Sequence, residues 1–399
     1  MREVLIKNYN NLKQLNLPFK EVKNKINLHF VDGPKLEVLG DNKKEYLCKF
    51  FNNKTGQLIF ESTITNNMWT KPNTKYFINW RVELYDKNTN ELIEILQYNA
   101  KGKRVYIHLD SKAIGDTLAW FPYIEEFRKK HECEVICSTF HNEWFETKYP
   151  ELTFISPGSR VENLYAMYTI GWYYKEDRTI DEDKSPIDFK KHPLGQTASE
   201  ILGLKFKEVK PILDFPDKGN QIGDKYVVIA PHASAHAKYW NYPGGWQIVI
   251  DYLKDNGYKV VMITHERLGD NWHDSKLGGT LKGVIDKTGD YPLEDRMSDI
   301  KNAEAFIGLG SGLSWVSWAI SPNTILISGF SKPYTEFSDC ERIFNYDENI
   351  CNGCFNREWL NPGDWEWCPD HKNTPRQFEC TKTITPEKVI KSLNKVLGV

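Results

Sequence analysis

The chain has 399 residues and a formal net charge of −2 at pH 7. This length leaves room for two or three domains, and the balanced charge gives no sign of nucleic-acid binding. The most apolar stretch, residues 306–327, is interrupted by Gly, Ser, Pro and Asn, so we expect no membrane span. Because the N-terminus also lacks an apolar signal core, we predict a cytoplasmic protein.

Residues 25–100 alternate apolar and polar side chains in short runs, separated by turn sequences such as Asp32-Gly33 and Gly40-Asp41. Alternation broken by glycine-containing turns is typical of antiparallel strands. We therefore predict an N-terminal β-barrel-like or sandwich domain over residues 1–100, whose strands follow a short helical or irregular segment.

After residue 100 the pattern changes to apolar strands that alternate with amphipathic helices. The predicted elements are strands at 104–109, 133–139 and 154–157, and helices at 117–130 and 194–204. This βαβ order predicts a parallel, doubly wound sheet. We assign residues 101–215 to a first Rossmann-like domain.

A second βαβ series begins at Tyr226. Its predicted elements are strands at 226–233, 259–265, 305–308 and 324–328, with a helix at 245–257. We assign residues 216–339 to a second Rossmann-like domain, and two such α/β domains with a cleft between them describe the GT-B glycosyltransferase architecture. Residues 340–384 break this rhythm and carry a cysteine cluster, and residues 385–399 contain a final helix.

The turn after the first α/β strand contains Gly115 and Asp116 at the start of a helix. A glycine here lets a ligand approach the backbone, and a helix N-terminus favours anions. Asp116 fits a general base at the carboxyl end of a strand, and it also fits an ordinary helix cap. Asp110, at the end of the strand itself, is a competing candidate for the base.

The loop 231–240 follows the first strand of the second domain and places Lys238 beside Ser234, His232 and His236. A lysine at such a position can neutralise a departing diphosphate without a metal ion. A solvated surface lysine is the alternative interpretation.

A glycine-rich turn at 308–314 lies between an apolar strand and a helix. Its exposed backbone N–H groups are suited to a diphosphate. The glycine spacing does not match the dinucleotide fingerprint, which counts against an NAD enzyme.

Four cysteines, Cys351, Cys354, Cys368 and Cys380, fall within thirty residues. Four thiolates make a closed tetrahedral site, so we predict a bound metal ion that is structural rather than catalytic. The ligand set does not distinguish iron from zinc. Reduced cysteines without a metal are the alternative.

Residues 109–127, 231–246 and 300–319, together with the cysteine cluster, resemble the bacterial autotransporter heptosyltransferases, a branch of the ADP-heptose:lipopolysaccharide heptosyltransferases. The resemblance implies a GT-B fold with ADP-D-glycero-β-D-manno-heptose as the donor and serine hydroxyls of a β-helical autotransporter as the acceptor. It implies an inverting transfer that needs no metal, with Asp116 as the base and Lys238 on the donor phosphate.

The resemblance further implies iron at the cysteines and a homo-oligomer, a dodecamer. Residues 101–215 then face the acceptor and 216–339 bind ADP-heptose. Predicted substrate contacts lie at Gly115, Thr117, Ser234, Trp240, Gly310, Ser311, Gly312, Leu313 and Ser314. Gly310 stands where the wider family often has an aspartate, so backbone contacts are expected to do more there.

Two alternatives stay open at this point. The first is a lipopolysaccharide-core heptosyltransferase, for which the N-terminal domain and the cysteine cluster are unnecessary, and no basic amphipathic face suggests a membrane surface. The second is a non-catalytic protein that kept the fold and binds sugar nucleotides, against which Asp116 and Lys238 argue.

Overall fold

The computed structural model describes residues 25–41, 43–361 and 363–399, and the segment predicted to precede the first strands lies outside them. The chain divides into two compact units. Of the described residues, the first unit holds 25–74 and 78–99, and the second holds 75–77 and 100–399. No helix in these described ranges is long and apolar enough to cross a membrane.

The first unit is built from antiparallel strands, as predicted. They are β1 (Lys25–His29), β2 (Lys35–Leu39), β3 (Glu45–Asn52), β4 (Leu58–Thr65), β5 (Met68–Thr70), β6 (Trp80–Asp86) and β7 (Leu92–Gln97). Their order is β1-β2-β5 in one sheet and β4-β3-β6-β7 in the other. Along β3 and β6 every second side chain is buried, which is the alternation that the sequence displays. The described strands thus form two open sheets and not one closed barrel.

The second unit begins with a four-stranded parallel sheet of order β10-β9-β8-β11. Its strands are β8 (Arg104–Leu109), β9 (Glu134–Ser138), β10 (Leu152–Phe154) and β11 (Ala166–Ile170), and its helices are α1 (Ile114–Trp120), α2 (Pro122–His131) and α3 (Leu194–Ile201). We call this part the N-terminal half. The prediction of a single helix at 117–130 is wrong. The first helix ends at Trp120 and a second begins at Pro122, because proline has no backbone N–H to continue the first helix. Strand β11 was not predicted.

A six-stranded parallel sheet of order β14-β13-β12-β15-β16-β17 forms the C-terminal half of this unit. Its strands are β12 (Tyr226–Ala230), β13 (Lys259–Met262), β14 (Ile285–Asp286), β15 (Ala305–Leu309), β16 (Thr324–Ile327) and β17 (Glu341–Ile343). Its helices are α4 (Gly245–Asp255), α5 (Asn271–Lys276), α6 (Leu293–Lys301), α7 (Gly312–Ile320), α8 (Cys354–Arg357), α9 (Glu379–Lys382) and α10 (Pro386–Leu397). Strand β17 lies in the segment where the sequence suggested that the βαβ rhythm had ended.

The two halves meet where α1 packs against α7. A side chain at Gly115 would place its Cβ 2.9 Å from Cδ1 of Trp315, and one at Gly312 would come 3.0 Å from Cβ of Ile114. Both glycines are therefore needed for the close approach of the two helices. This contact holds the carboxyl ends of the two sheets on either side of a cleft.

Candidate active site

The cleft between the two halves has a volume of about 550 Å³. Its wall includes Gly115, Asp116 and Trp172 from the N-terminal half and Ser234, Lys238, Gly310, Ser311, Gly312, Trp315, Phe330, Ser331, Glu336 and Phe355 from the C-terminal half. Most of these residues follow the carboxyl end of a parallel strand, which is where open α/β sheets bind ligands. The cleft brings together the three motifs that the sequence separates by almost two hundred residues.

Asp116 lies in the first turn of α1 and faces the cleft. Its Oδ2 accepts hydrogen bonds from Ser111 Oγ at 2.6 Å and from the indole N–H of Trp172 at 2.9 Å. Burial raises the pKa of this carboxyl, while those two hydrogen bonds and the charge of Lys238 act in the opposite direction. The helix N-cap is Ala113, without a side-chain cap bond, so Asp116 does not act as the cap.

Lys238 reaches the cleft from the short helical turn His236–Lys238 that follows β12. Its Nζ donates to Ser234 Oγ at 3.1 Å and lies 5.2 Å from the centre of the Phe330 ring. Burial lowers the pKa of this amine, and the carboxylates of Glu336 and Asp116 oppose that shift. A partly desolvated lysine facing two carboxylates is not the freely solvated surface lysine of the alternative interpretation.

The glycine-rich turn lies beside the lysine and leads into α7. Gly310, Ser311 and Gly312 line the cleft. The first N–H groups of α7, which starts at Gly312, have no carbonyl partner within the helix and favour an anionic ligand. Leu313 is not part of the cleft wall, and Ser314 is buried with its Oγ donating to the carbonyl oxygen of Leu309 at 2.5 Å.

Three other predicted residues are also not brought into the cleft. Thr117 is fully buried, and its hydroxyl donates to the carbonyl oxygen of Ala113 at 3.1 Å. Trp240 lies in the core of the C-terminal half, where its indole N–H donates to Ile384 O at 2.8 Å. Asp110 is exposed and is not among the cleft-lining residues. Direct contact of Thr117, Trp240 or Ser314 side chains with substrate therefore finds no support in their placement.

The two histidines of the loop 231–240 are structural neighbours of the site. His232 is buried, with Nδ1 3.2 Å from Thr264 Oγ1, and burial lowers its pKa to about 4. His236 stacks on the indole of Trp365, its backbone N–H donates to Trp365 O at 2.9 Å, and burial lowers its pKa to about 4 as well. Both rings are neutral near pH 7 and fix the loop that carries Lys238.

Sequence reasoning missed several polar side chains of the cleft, among them Trp172 and Glu336. Trp172 follows β11, in an aromatic and charged region without clear periodicity. Glu336 lies between β16 and β17, and its position in the chain carries no motif. A tryptophan whose indole N–H could donate to the predicted base, Asp116, was the one available signal. Recognising Trp172 as that residue would have required strand β11, which was not predicted.

The cysteine segment forms a separate candidate metal centre. Cys351 Sγ and Cys354 Sγ lie 4.0 Å apart, and Cys354 and Cys368 share a small hydrophobic cluster with Phe330 and Trp367. Burial, together with the nearby thiols of Cys354 and Cys368, raises the pKa of Cys380 to about 12. The thiol of Cys354 interacts electrostatically with those of Cys368 and Cys380, which disfavours their thiolate forms, and a bound ion would reverse this.

Acidic and imidazole groups accompany the thiols. Two groups of side chains are arranged closely enough to share an ion: Cys351 with His371 and Glu379, and Cys351 with Cys354 and Asp370. Asp370 accepts from Arg357, and Cys351 Sγ lies 3.2 Å from Asp370 Oδ2. Neither group includes Cys368 or Cys380, so the set of four cysteines stays a prediction, and acidic and imidazole groups that the spacing did not indicate lie beside Cys351 and Cys354.

Residues 191–340 match the model of glycosyltransferase family 9 (heptosyltransferase). The chain is 36% identical over 357 residues to the autotransporter heptosyltransferase Aah of Escherichia coli, covering 87% of this chain and 88% of Aah. Crystal structures of TibC from enterotoxigenic E. coli H10407, an iron-containing dodecameric glycosyltransferase, superpose with TM-scores of 0.80 and, in complex with ADP-D-β-D-heptose, 0.81. These cover 96% of this chain and 98% of TibC at 31% identity.

One relative carries a different description. The inactive autotransporter heptosyltransferase BimC of Burkholderia thailandensis is 27% identical over 82% of this chain and 76% of BimC.

The fold, the cleft and the family match define a glycosyltransferase enzyme. The match to Aah, at 36% identity over 87% of this chain, shows the family: the chain belongs to the autotransporter heptosyltransferases.

Proposed function

We propose that this chain transfers heptose from ADP-D-glycero-β-D-manno-heptose to serine hydroxyls of a β-helical autotransporter protein. The observation that carries the proposal is the cleft in which a half-buried carboxylate, Asp116, and a partly desolvated lysine, Lys238, come from opposite halves. Family membership and the ADP-heptose complex of TibC support the choice of donor. Because BimC is an inactive relative, family membership alone does not establish catalysis, and the residues of the cleft are what support it.

Asp116 takes the proton of the acceptor hydroxyl in this proposal. Both of its described hydrogen bonds fall on Oδ2, so Oδ1 is the atom assigned to receive that proton. The raised pKa makes the carboxylate a better base than a solvated aspartate. The serine oxygen attacks the anomeric carbon as the bond to the diphosphate breaks, which inverts the configuration there.

Lys238 neutralises the charge that develops on the departing ADP, and the N–H groups at Gly310 and Gly312 hold the diphosphate. The N–H of Ser311, between them, donates to Leu309 O at 2.6 Å. The transfer then needs no metal ion. This division corresponds to a GT-B enzyme in which residues 101–215 face the acceptor and residues 216–339 bind the donor. Residues 1–100 form the additional N-terminal domain, residues 340–384 the metal-binding motif and residues 385–399 the C-terminal helix.

The cysteine site is proposed to hold one structural iron ion through Cys351, Cys354, Cys368 and Cys380. Soft thiolate ligands suit iron and zinc alike, and the iron-containing TibC favours iron. Its hydrophobic cluster includes Ala237 and Phe330, the neighbours of Lys238, so the ion would stabilise the loop that carries the lysine. A dodecamer, by analogy with TibC, and a cytoplasmic location complete the proposal.

The test is a transfer assay with purified protein, ADP-heptose and fragments of candidate autotransporters, read by the mass of the intact acceptor. A gain of heptose on serine supports the proposal. Transfer to lipopolysaccharide core and not to protein favours the first alternative, and donor binding without any transfer favours the non-catalytic one.

A further inference from the structure

Glu336 is a carboxylate in the cleft for which the proposed transfer has no role. Its side chain is only 9% exposed and forms a salt bridge at 3.1 Å with Arg342, itself 10% exposed. The other carboxylate oxygen, Oε1, accepts a hydrogen bond from Ser331. These contacts fix the carboxylate against the cleft wall, close enough to Lys238 to act on its charge.

The backbone of the glycine-rich turn leaves space for this carboxylate. A Cβ at position 310 would lie 3.2 Å from Glu336 Oε1. Apart from its chain neighbours, no other atom of the described residues would lie within 4 Å of it. The absence of a side chain at Gly310 therefore lets the Glu336 carboxylate approach the turn that is proposed to hold the diphosphate. Glycine is not required here for a positive φ angle, because the backbone at 310 does not adopt one.

A carboxylate beside a diphosphate site is poorly suited to touch the phosphates, which it would repel. It accepts hydrogen bonds, however, and the remaining acceptor positions of a carboxylate that already has two partners match adjacent sugar hydroxyls. Among the described side chains of the cleft wall, only Asp116 and Glu336 are carboxylates. Since Asp116 is assigned to the acceptor proton, Glu336 is left for the donor.

We propose that Glu336 recognises the donor sugar by accepting hydrogen bonds from hydroxyl groups of the heptose, while Lys238 and the turn recognise the diphosphate. This inference rests on the proposed function and deepens it by naming the residue that determines sugar specificity. Two other roles for Glu336 give different results. If Glu336 serves only to keep Arg342 buried, its replacement should impair folding. If it serves only to orient Lys238, its replacement should weaken the binding of ADP and of ADP-heptose equally.

The test compares the affinities of ADP and ADP-heptose by titration calorimetry in the wild type and in Glu336→Gln. We expect the variant to bind ADP within about threefold of the wild type and ADP-heptose about 10- to 100-fold more weakly, the usual loss for a hydrogen bond to a charged group. Glu341→Gln, which removes an ion pair to the exposed Lys395 outside the cleft, is the matched control and should change neither affinity.

Gly310→Ala provides a second variant that leaves the salt bridge to Arg342 intact. Its added methyl group should displace the Glu336 carboxylate by a few tenths of an ångström. Because Gly310 also belongs to the turn proposed to hold the diphosphate, ADP binding can weaken as well, but the affinity for ADP-heptose should fall by about threefold more than that for ADP. This variant keeps the proposal testable if Glu336→Gln does not fold.

The ratio of the two affinities separates the outcomes. A wild type that prefers ADP-heptose over ADP, with variants that lose this preference, supports the proposal. If the preference survives in both variants, or if both ligands weaken together, the sugar-recognition role of Glu336 is wrong while the proposed function stands. If the wild type gains no affinity from the heptose, the choice of donor itself is wrong.

Discussion

Replacement of Asp116 by asparagine is the sharpest perturbation of the proposed chemistry. The amide has the same shape, and its oxygen can still accept from Ser111 and Trp172, but it cannot take a proton. General-base catalysis contributes about a hundred- to ten-thousand-fold, so kcat for heptose transfer should fall by that factor, equivalent to about 2.7 to 5.5 kcal/mol in activation free energy. Binding of ADP-heptose should change by less than about threefold.

Stability provides the internal control for this variant. Burial raises the pKa of Asp116, so the ionised carboxylate is disfavoured in the folded protein and its neutral replacement should not lower the melting temperature. Transfer rates are measured with ADP-heptose and an acceptor fragment beside Asp110→Asn, which changes the competing, exposed carboxylate. Near-normal turnover by Asp116→Asn together with an inactive Asp110→Asn would refute the assignment.

Four further results are expected from the same assays. The pH profile of kcat/KM should be bell-shaped, because the raised pKa of Asp116 shifts the acid limb to higher pH and the lowered pKa of Lys238 shifts the alkaline limb to lower pH. Ser111→Ala removes a hydrogen bond to the Asp116 carboxylate and should shift the acid limb to still higher pH, and an unchanged acid limb would exclude Asp116 as its source. Lys238→Ala should reduce kcat about a hundred- to a thousandfold. The wild type should stay active in EDTA unless its structural ion is stripped, and activity that is lost in EDTA and returns only with added magnesium would contradict the role of the lysine. Cys354→Ser should lower the metal content measured by elemental analysis and the assembled mass measured by native mass spectrometry, whereas a metal-free wild type of the same mass contradicts the metal site. Gly115→Ala should lower the melting temperature, because its Cβ would come 2.9 Å from the Trp315 ring, and no change in melting temperature would show that the two helices can separate freely.

Strong periodicity explains which elements could be predicted from the sequence. The strand predicted at 104–109 and the final helix at 386–397 are uninterrupted apolar or amphipathic runs, and the structure contains both. The strand predicted at 226–233 is also present but ends at Ala230. Strand β11 was missed because its neighbours are aromatic and charged without a period. The break before Pro122 was missed because proline is well tolerated in a first helical turn, so it did not disturb the amphipathic pattern.

The candidate site shows the limit of motif reasoning in another way. A motif identifies a stretch of chain, and Asp116 and Lys238 do face the cleft, but side chains in the same stretch point in opposite directions. Trp240 and Thr117 therefore came into the prediction although both are buried. Glu336 was invisible because its proximity to Lys238 and Gly310 arises only when β15 and β16 lie side by side.

The cysteine segment shows what tertiary structure adds to a local sequence pattern. The spacing of four cysteines predicted a metal site, and its thiols lie near one another. The spacing did not indicate that Asp370, His371 and Glu379 join them, or that the cluster packs against Phe330. The packing against Phe330 connects the cysteine segment to the loop of Lys238, so we expect an ion bound there to influence turnover only indirectly.

The most direct test of the central claim is the intact mass of an autotransporter fragment after incubation with ADP-heptose and either the wild type or Asp116→Asn. We predict that the wild type adds one or more heptose units to serine residues, and that the variant, at equal concentration and with ADP-heptose bound, adds essentially none in the same time. An unmodified acceptor with the wild type, or equal modification by both proteins, would contradict the account.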